Sequence, residues 1–286
     1  LLGNRLGVLT DEVSVVLEEA LDWIAAQGLS HVELRVINGR NIADLEDHEV
    51  REVRSQVEKR GLYISAVASP LFKCRLDASR TVSSGDTFGQ KEESVEAHFR
   101  KLDRVIEIAL MLGAPRIRIF SFWRELQPEL YSKEIASHLK KAAERAERSD
   151  VVLLLENEPS CNAGFAEEVA DIVERVDSQA LRGLWDPGNE AYGGREAYPR
   201  GYEKIKGAIG HVHLKDAYIG ADGLPRCVPL GSGDVPVIAQ LKALEEDGYE
   251  GLYTIETHFI PAGGSQMTGT RMTLDALRAL LGEVRR

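Results

Sequence analysis

The chain has 286 residues, 43% hydrophobic and 28% charged, with a formal net charge of -11. That length can bury a large core in one α/β barrel, and the acidic balance argues against nucleic acid as a partner, since binding its backbone takes a clustered Lys/Arg face. Cys74, Cys161 and Cys227 have no CxxC or CxxH spacing, which argues against a disulfide framework or thiolate metal site; with no apolar run near the roughly 20 residues that span a bilayer and no signal-peptide order, a cytoplasmic protein without a membrane partner is expected.

Along the chain, short apolar or β-branched runs alternate with stretches whose apolar residues recur at i, i+3, i+4 and i+7, the pattern of parallel βα units. The first strand is expected at Leu6 to Leu9, followed by a helix over Val13 to Ala26 that stops at Gly28. The second strand is His31 to Arg35 and the third Tyr63 to Ala68, with Gly61 closing the helix between them. The polar segment Lys73 to Ser94 comes next, long enough to act as a lid, and then a helix over Val95 to Leu112 ending at Gly113. Strands at Arg116 to Phe120, Val151 to Leu155, Leu181 to Trp185, His211 to Lys215 and Leu252 to Glu256 follow. Between and after them come helical stretches at Lys133 to Ala146, Phe165 to Val176, Gly201 to Ile209, Val235 to Leu244 and Thr268 to Leu281. No linker or composition shift interrupts the alternation, so residues 1–286 are expected to form a single domain, one closed (β/α)8 TIM barrel.

In such a barrel the reactive groups sit at the C-terminal ends of the strands. There the fifth strand carries LLLENEPS with Glu156 and Glu158, the sixth LWDPGN with Asp186, the seventh HVHLKD with His211 and His213, and the eighth YTIETH with Glu256 and His258. Unpaired charge is too costly to bury in strands normally filled by Val, Ile and Leu, so carboxylates and an imidazole converging from four strands call for a cation. A single Mn2+ or Mg2+, or else Zn2+ or Co2+, suits that donor set. The period of two puts His211 and His213 on one side with His213 nearer the mouth, which favours His213 as the ligand. In each of the pairs Glu156/Glu158 and Glu256/His258, one member can bind metal and the other lie nearer substrate.

Structural readings stand beside these. Arg35, Arg116, Arg118 and Lys215 are available to hold buried carboxylates as ion pairs, and Glu33 is open between function and ion pairing. Gly188 and Asn189 fit a turn after Pro187, with Asn189 kept as a substrate-contact candidate, and Gly231 to Asp234 (GSGD) reads as a turn rather than a phosphate cradle. His31, His48, His98 and His138 fall on strand beginnings or helices and are assigned no role.

Taken in order, ENEP, WDPGN, HVHLKD with the later PLGSGDV, and IETH resemble the xylose isomerase-like superfamily of sugar isomerases and epimerases, which includes ketose 3-epimerase-like and inosose dehydratase-like members. The resemblance covers essentially the whole length. It implies a divalent metal held by Glu156, Asp186, His213 and Glu256, with Glu156 and Glu256 also acting as acid and base on a small polyhydroxylated carbonyl substrate through an enediolate. It makes Glu158, Lys215 and Arg226 candidates for holding substrate hydroxyls, with Glu33 and Lys73 lining the mouth, and leaves a homodimer as a family-level expectation. It does not separate an isomerase or epimerase from a dehydratase of inosose or dehydroshikimate type. Against the apurinic-site endonuclease branch, Asn189 and Val228 stand where that branch carries metal-binding histidines. A non-catalytic barrel is disfavoured by the intact ligand set.

Overall fold

Side-chain alternation along each strand decides which groups enter the barrel and which face the helices. In the computed structural model, which describes residues 2–284, eight strands close into a parallel barrel: β1 (Leu6–Leu9), β2 (His31–Leu34), β3 (Tyr63–Ala68), β4 (Arg116–Ile119), β5 (Val152–Glu156), β6 (Leu181–Trp185), β7 (Ile209–Leu214) and β8 (Tyr253–Ile255). Each strand pairs with its predecessor, and β8 pairs back to β1 with Leu6 opposite Tyr253. Val32 and Leu34, Ile117 and Ile119, Leu153 and Leu155, Val212 and Leu214 join an apolar core shared with helix residues such as Leu21, Val50, Leu102 and Val169.

The intervening positions are buried and polar: His31 and Glu33, Arg118, Glu156, His211 and His213. They face inward, because Glu33 on β2 meets His211 and His213 on β7, and these strands are not neighbours, so the contacts cross the barrel interior. A barrel core is ordinarily filled by branched aliphatic side chains; here the interior is a polar column sheathed in aliphatic residues.

The helices are α1 (Leu17–Ala26), α2 (Asp47–Glu58), α3 (Val95–Leu112), α4 (Ser132–Glu147), α5 (Ala166–Val176), α6 (Pro187–Tyr192), α7 (Tyr202–Ile205), α8 (Val237–Glu246) and α9 (Gln266–Val284). For α3 the expected ends hold: the Ser94 hydroxyl accepts the Ala97 N–H and Gly113 closes the helix in the left-handed region. Two expectations are corrected. Helix α1 begins at Leu17, after a short 3-10 turn over Thr10–Glu12, instead of at Val13. The segment after Asp186 is helix α6 and not a turn, because Asp186 caps it and Pro187 occupies its first position, where a missing N–H costs nothing.

Candidate metal centre

Glu156 ends β5, Asp186 follows β6, His213 lies in β7 and Glu256 follows β8. Four ligand atoms, one from each of these buried side chains, lie within 4.8 Å of one another. Nδ1 of His213 is 3.2 Å from Glu256 Oε2 and 3.6 Å from Glu156 Oε1, while its Nε2 is 3.0 Å from Glu33 Oε2. A bare nitrogen lone pair cannot face two carboxylate oxygens in a dry interior without a positive centre among them. A proton on Nδ1 is one solution and a metal ion is the other, so the donor set fits a divalent cation. Asp186 adds an Oδ2 that faces the Lys215 ammonium, while its Oδ1 accepts the Asn189 N–H at 3.0 Å.

Three permanent cations share the cluster. Arg118 Nη1 is 3.3 Å from Glu156 Oε2 and 3.1 Å from Glu256 Oε1, and Arg35 Nη1 is 2.8 Å from Glu256 Oε1. Lys215 Nζ lies 2.7 Å from Asp186 Oδ2, 2.9 Å from Glu256 Oε2 and 3.1 Å from Asn189 Oδ1. Ion pairing and metal binding are therefore not exclusive. Five carboxylates (Asp11, Glu12, Glu156, Asp186, Glu256) gather around Arg35, Arg118 and Lys215, leaving negative charge that a divalent ion would offset. Against the upward push of burial, Lys215, His258 and His213 hold the Glu256 carboxyl well below the usual range. Burial pushes the His213 imidazole down, but Glu33 and Glu256 lift it well above its ordinary value.

Lys73 and Glu158 form a separate pair, 3.5 Å apart and outside the four-residue set. The Lys73 ammonium lies 4.4 Å from the Phe120 ring centroid and 4.5 Å from that of Phe88. Phe88 belongs to the long segment between β3 and α3, and its ring also sits 5.0 Å from both Arg35 and Arg118, so this segment does cover the cationic side of the cluster. Asn189 is brought into the cluster, donating to Glu156 Oε1 at 3.3 Å. Gly188 is needed beside it, because a Cβ there would fall 2.4 Å from Lys215 Cγ.

Two residues named from the sequence lie elsewhere. Arg226 is not brought to the cluster: it is exposed on a hairpin (Asp216–Ile219 with Pro225–Val228), where Asp222, four residues earlier, accepts from its two terminal guanidinium nitrogens at 2.8 and 2.5 Å. Glu33 does not line the mouth, because the period of two places it deeper in the barrel than Arg35; it is fully buried and binds His211 and His213. The GSGD turn wraps a carboxylate already present in the chain, with Gly231 and Gly233 N–H groups donating to Asp216. Arg35 and Arg118, expected from the sequence as ion-pair partners for buried carboxylates, both take Glu256, whereas His211 was given no role. For His211 the available signal was its two-residue spacing from His213, which puts both imidazoles on one side of the strand.

The family model for xylose isomerase-like TIM barrels matches residues 21–280. No curated protein matches significantly. Among solved structures, a xylose isomerase domain protein from Planctomyces limnophilus is 18% identical at a TM-score of 0.74, over 98% of both chains. The 3-keto-D-glucoside 4-epimerase from E. coli is 17% identical at 0.69, over 96% of this chain and 99% of that one. A xylose isomerase-like TIM barrel protein from Mycobacterium smegmatis, in complex with magnesium, is 17% identical at 0.69, over 92% and 87%. At these identities the likeness establishes the fold.

Proposed function

The chain belongs to the xylose isomerase-like TIM barrel family, and from that premise we propose that it is a divalent-metal-dependent isomerase or epimerase of a sugar or sugar-like polyol ketone. The observation that carries this reading is the convergence of Glu156, Asp186, His213 and Glu256 from four consecutive strand ends, with His213 Nδ1 turned toward two carboxylates. These four residues would hold the ion, with Mn2+ or Mg2+ the expected occupants. When bound, the ion supplies a Lewis acid that acidifies the C–H between a carbonyl and a neighbouring hydroxyl.

The chain's own groups supply the rest. Glu156 and Glu256 are both held by Arg118, ionised and therefore able to accept that proton and return it. Lys215, within reach of Glu256 and Asn189, can donate to an oxygen that gains charge as the proton leaves. Lys73 and Glu158 supply a donor and an acceptor for substrate hydroxyls, and Phe88 and Phe120 limit water at their side of the site.

The test is solvent-hydrogen exchange at the carbon beside the carbonyl, followed by NMR in D2O across ketoses, inososes and dehydroshikimate with Mn2+, Mg2+ or Co2+. Metal-dependent deuterium uptake into a ketose that returns an isomer or epimer is the expected result. Uptake with loss of water would make the protein a dehydratase. No exchange with any of them, in protein shown to hold metal, would sink the reading.

A further inference from the structure

We propose that Glu33 is the positioning residue for His213: reaching across the barrel from β2, it fixes the tautomer and ring angle that turn His213 Nδ1 toward Glu156 and Glu256. The inference rests on the metal assignment above and adds a residue to it that touches neither metal nor substrate.

Glu33 is fully buried and its two oxygens have separate tasks. Oε2 accepts from His213 Nε2 at 3.0 Å, and Oε1 makes a short contact with His211 Nε2. A carboxylate on Nε2 leaves Nδ1 as the nitrogen free to bind a cation and raises its basicity. The second imidazole stops the carboxylate from rotating away. His211 can serve as that fixed prop because its other nitrogen, Nδ1, is buried with no hydrogen-bond partner, an arrangement tolerable for a bare nitrogen and costly for an N–H. Its proton therefore sits on Nε2, facing Glu33.

The prop is itself supported. Nε2 of His211 and Nε2 of His31 each lie 3.1 Å from Thr254 Oγ1. The His31 ring fills the space beside Gly7, where a Cβ would fall 2.2 Å from His31 Cδ2. The polar column thus runs from Gly7 and His31 up through Thr254, His211 and Glu33 to the proposed ligand. A charge in mid-barrel has no use as an aliphatic substitute; as the anchor of His213 it has one.

The experiment is Glu33→Gln, which keeps the volume but must turn an amide N–H toward one of the two imidazole N–H groups. Read by chelator competition, the dissociation constant for Co2+ should rise about 10- to 100-fold, and the visible Co2+ spectrum should shift as the His213 bond changes. Nitrogen NMR of the imidazoles in the Zn2+-loaded parent should report His213 protonated at Nε2 and coordinated through Nδ1. An unchanged dissociation constant and spectrum in a folded Glu33→Gln protein would overturn the inference while leaving the metal assignment standing. Should that variant not fold, the parent NMR decides alone, and coordination through His213 Nε2 overturns the proposal. A parent that binds no divalent ion overturns the metal assignment and this inference together.

Discussion

Three cations meet on one carboxylate at Glu256, and that crowding governs what its substitution will do. Volume alone would let Glu256→Gln keep the fold. With Arg35, Arg118 and Lys215 all resting on this side chain, removal of its charge leaves buried cations under-compensated, at a cost of about 3 kcal/mol. Urea unfolding should register that loss, alongside weakened metal binding and abolished turnover; full metal content and activity would contradict the role of Glu256. Glu158 behaves differently, since its partners are Lys73 and Ser160. Glu158→Gln should lower kcat while metal occupancy, read by elemental analysis, stays near the parent value. Occupancy falling as far as in Glu156→Gln would place Glu158 among the ligands. The four proposed ligands were legible because each stands at a strand end beside a recognisable motif. The grip of Arg35 and Arg118 on Glu256 was not, because a side chain's reach across a barrel leaves no trace in local spacing, and neither was the capture of Arg226 by Asp222.

Elements were legible where one period dominates. Eight apolar runs became the eight strands within a residue or two, and α3 matched at both ends. Helix α6 was hidden because its six residues are too few to show a period and its cap, Asp186, was already spoken for as a ligand. The segment after β3 was legible as a long polar connection, but its anchoring was not. Phe72 there sits at a φ of 64°, and its N–H donates to Nδ1 of His98 on α3 at 2.9 Å, just before Lys73. Burial pushes the His98 imidazole down to about 4 from an ordinary value near 6.5. The unfolded chain therefore binds a proton more readily than the folded one between those values, and stability present above pH 6.5 is lost as pH falls toward 4, by up to about 3 kcal/mol. His98→Leu should be less stable at pH 7, by about 1–3 kcal/mol for the orphaned Phe72 N–H, yet show a flatter fall in urea midpoint from pH 6.5 to 4. A slope equal to the parent's would assign the acid sensitivity to other groups.

On the scale of the whole molecule, the alternation of strands and helices made the barrel legible, whereas its polar interior was visible only as residues at odd positions. No helix of the described residues is long and apolar enough to cross a membrane. An ion that binds the folded chain alone should raise unfolding free energy by about 2.7 kcal/mol at 100 times its dissociation constant. Thermal scans with Mn2+ or Mg2+ against chelator should show that rise, and superimposable scans would count against the centre. The column has a further consequence, for the order of events as the chain is made. Arg35 and Glu33 emerge early, yet their partners Glu256, His211 and His213 lie 221, 178 and 180 residues further on. In an N-terminal half-barrel Arg35 would have Asp11 and Glu12 beside it, but the buried Glu33 carboxylate would lack both of its imidazole partners. The buried pairing of Glu33, and the last of the pairs made by Arg35, are complete only when β7 and β8 stand in the closed barrel, so the polar column ties the first strands to the last ones rather than to their neighbours.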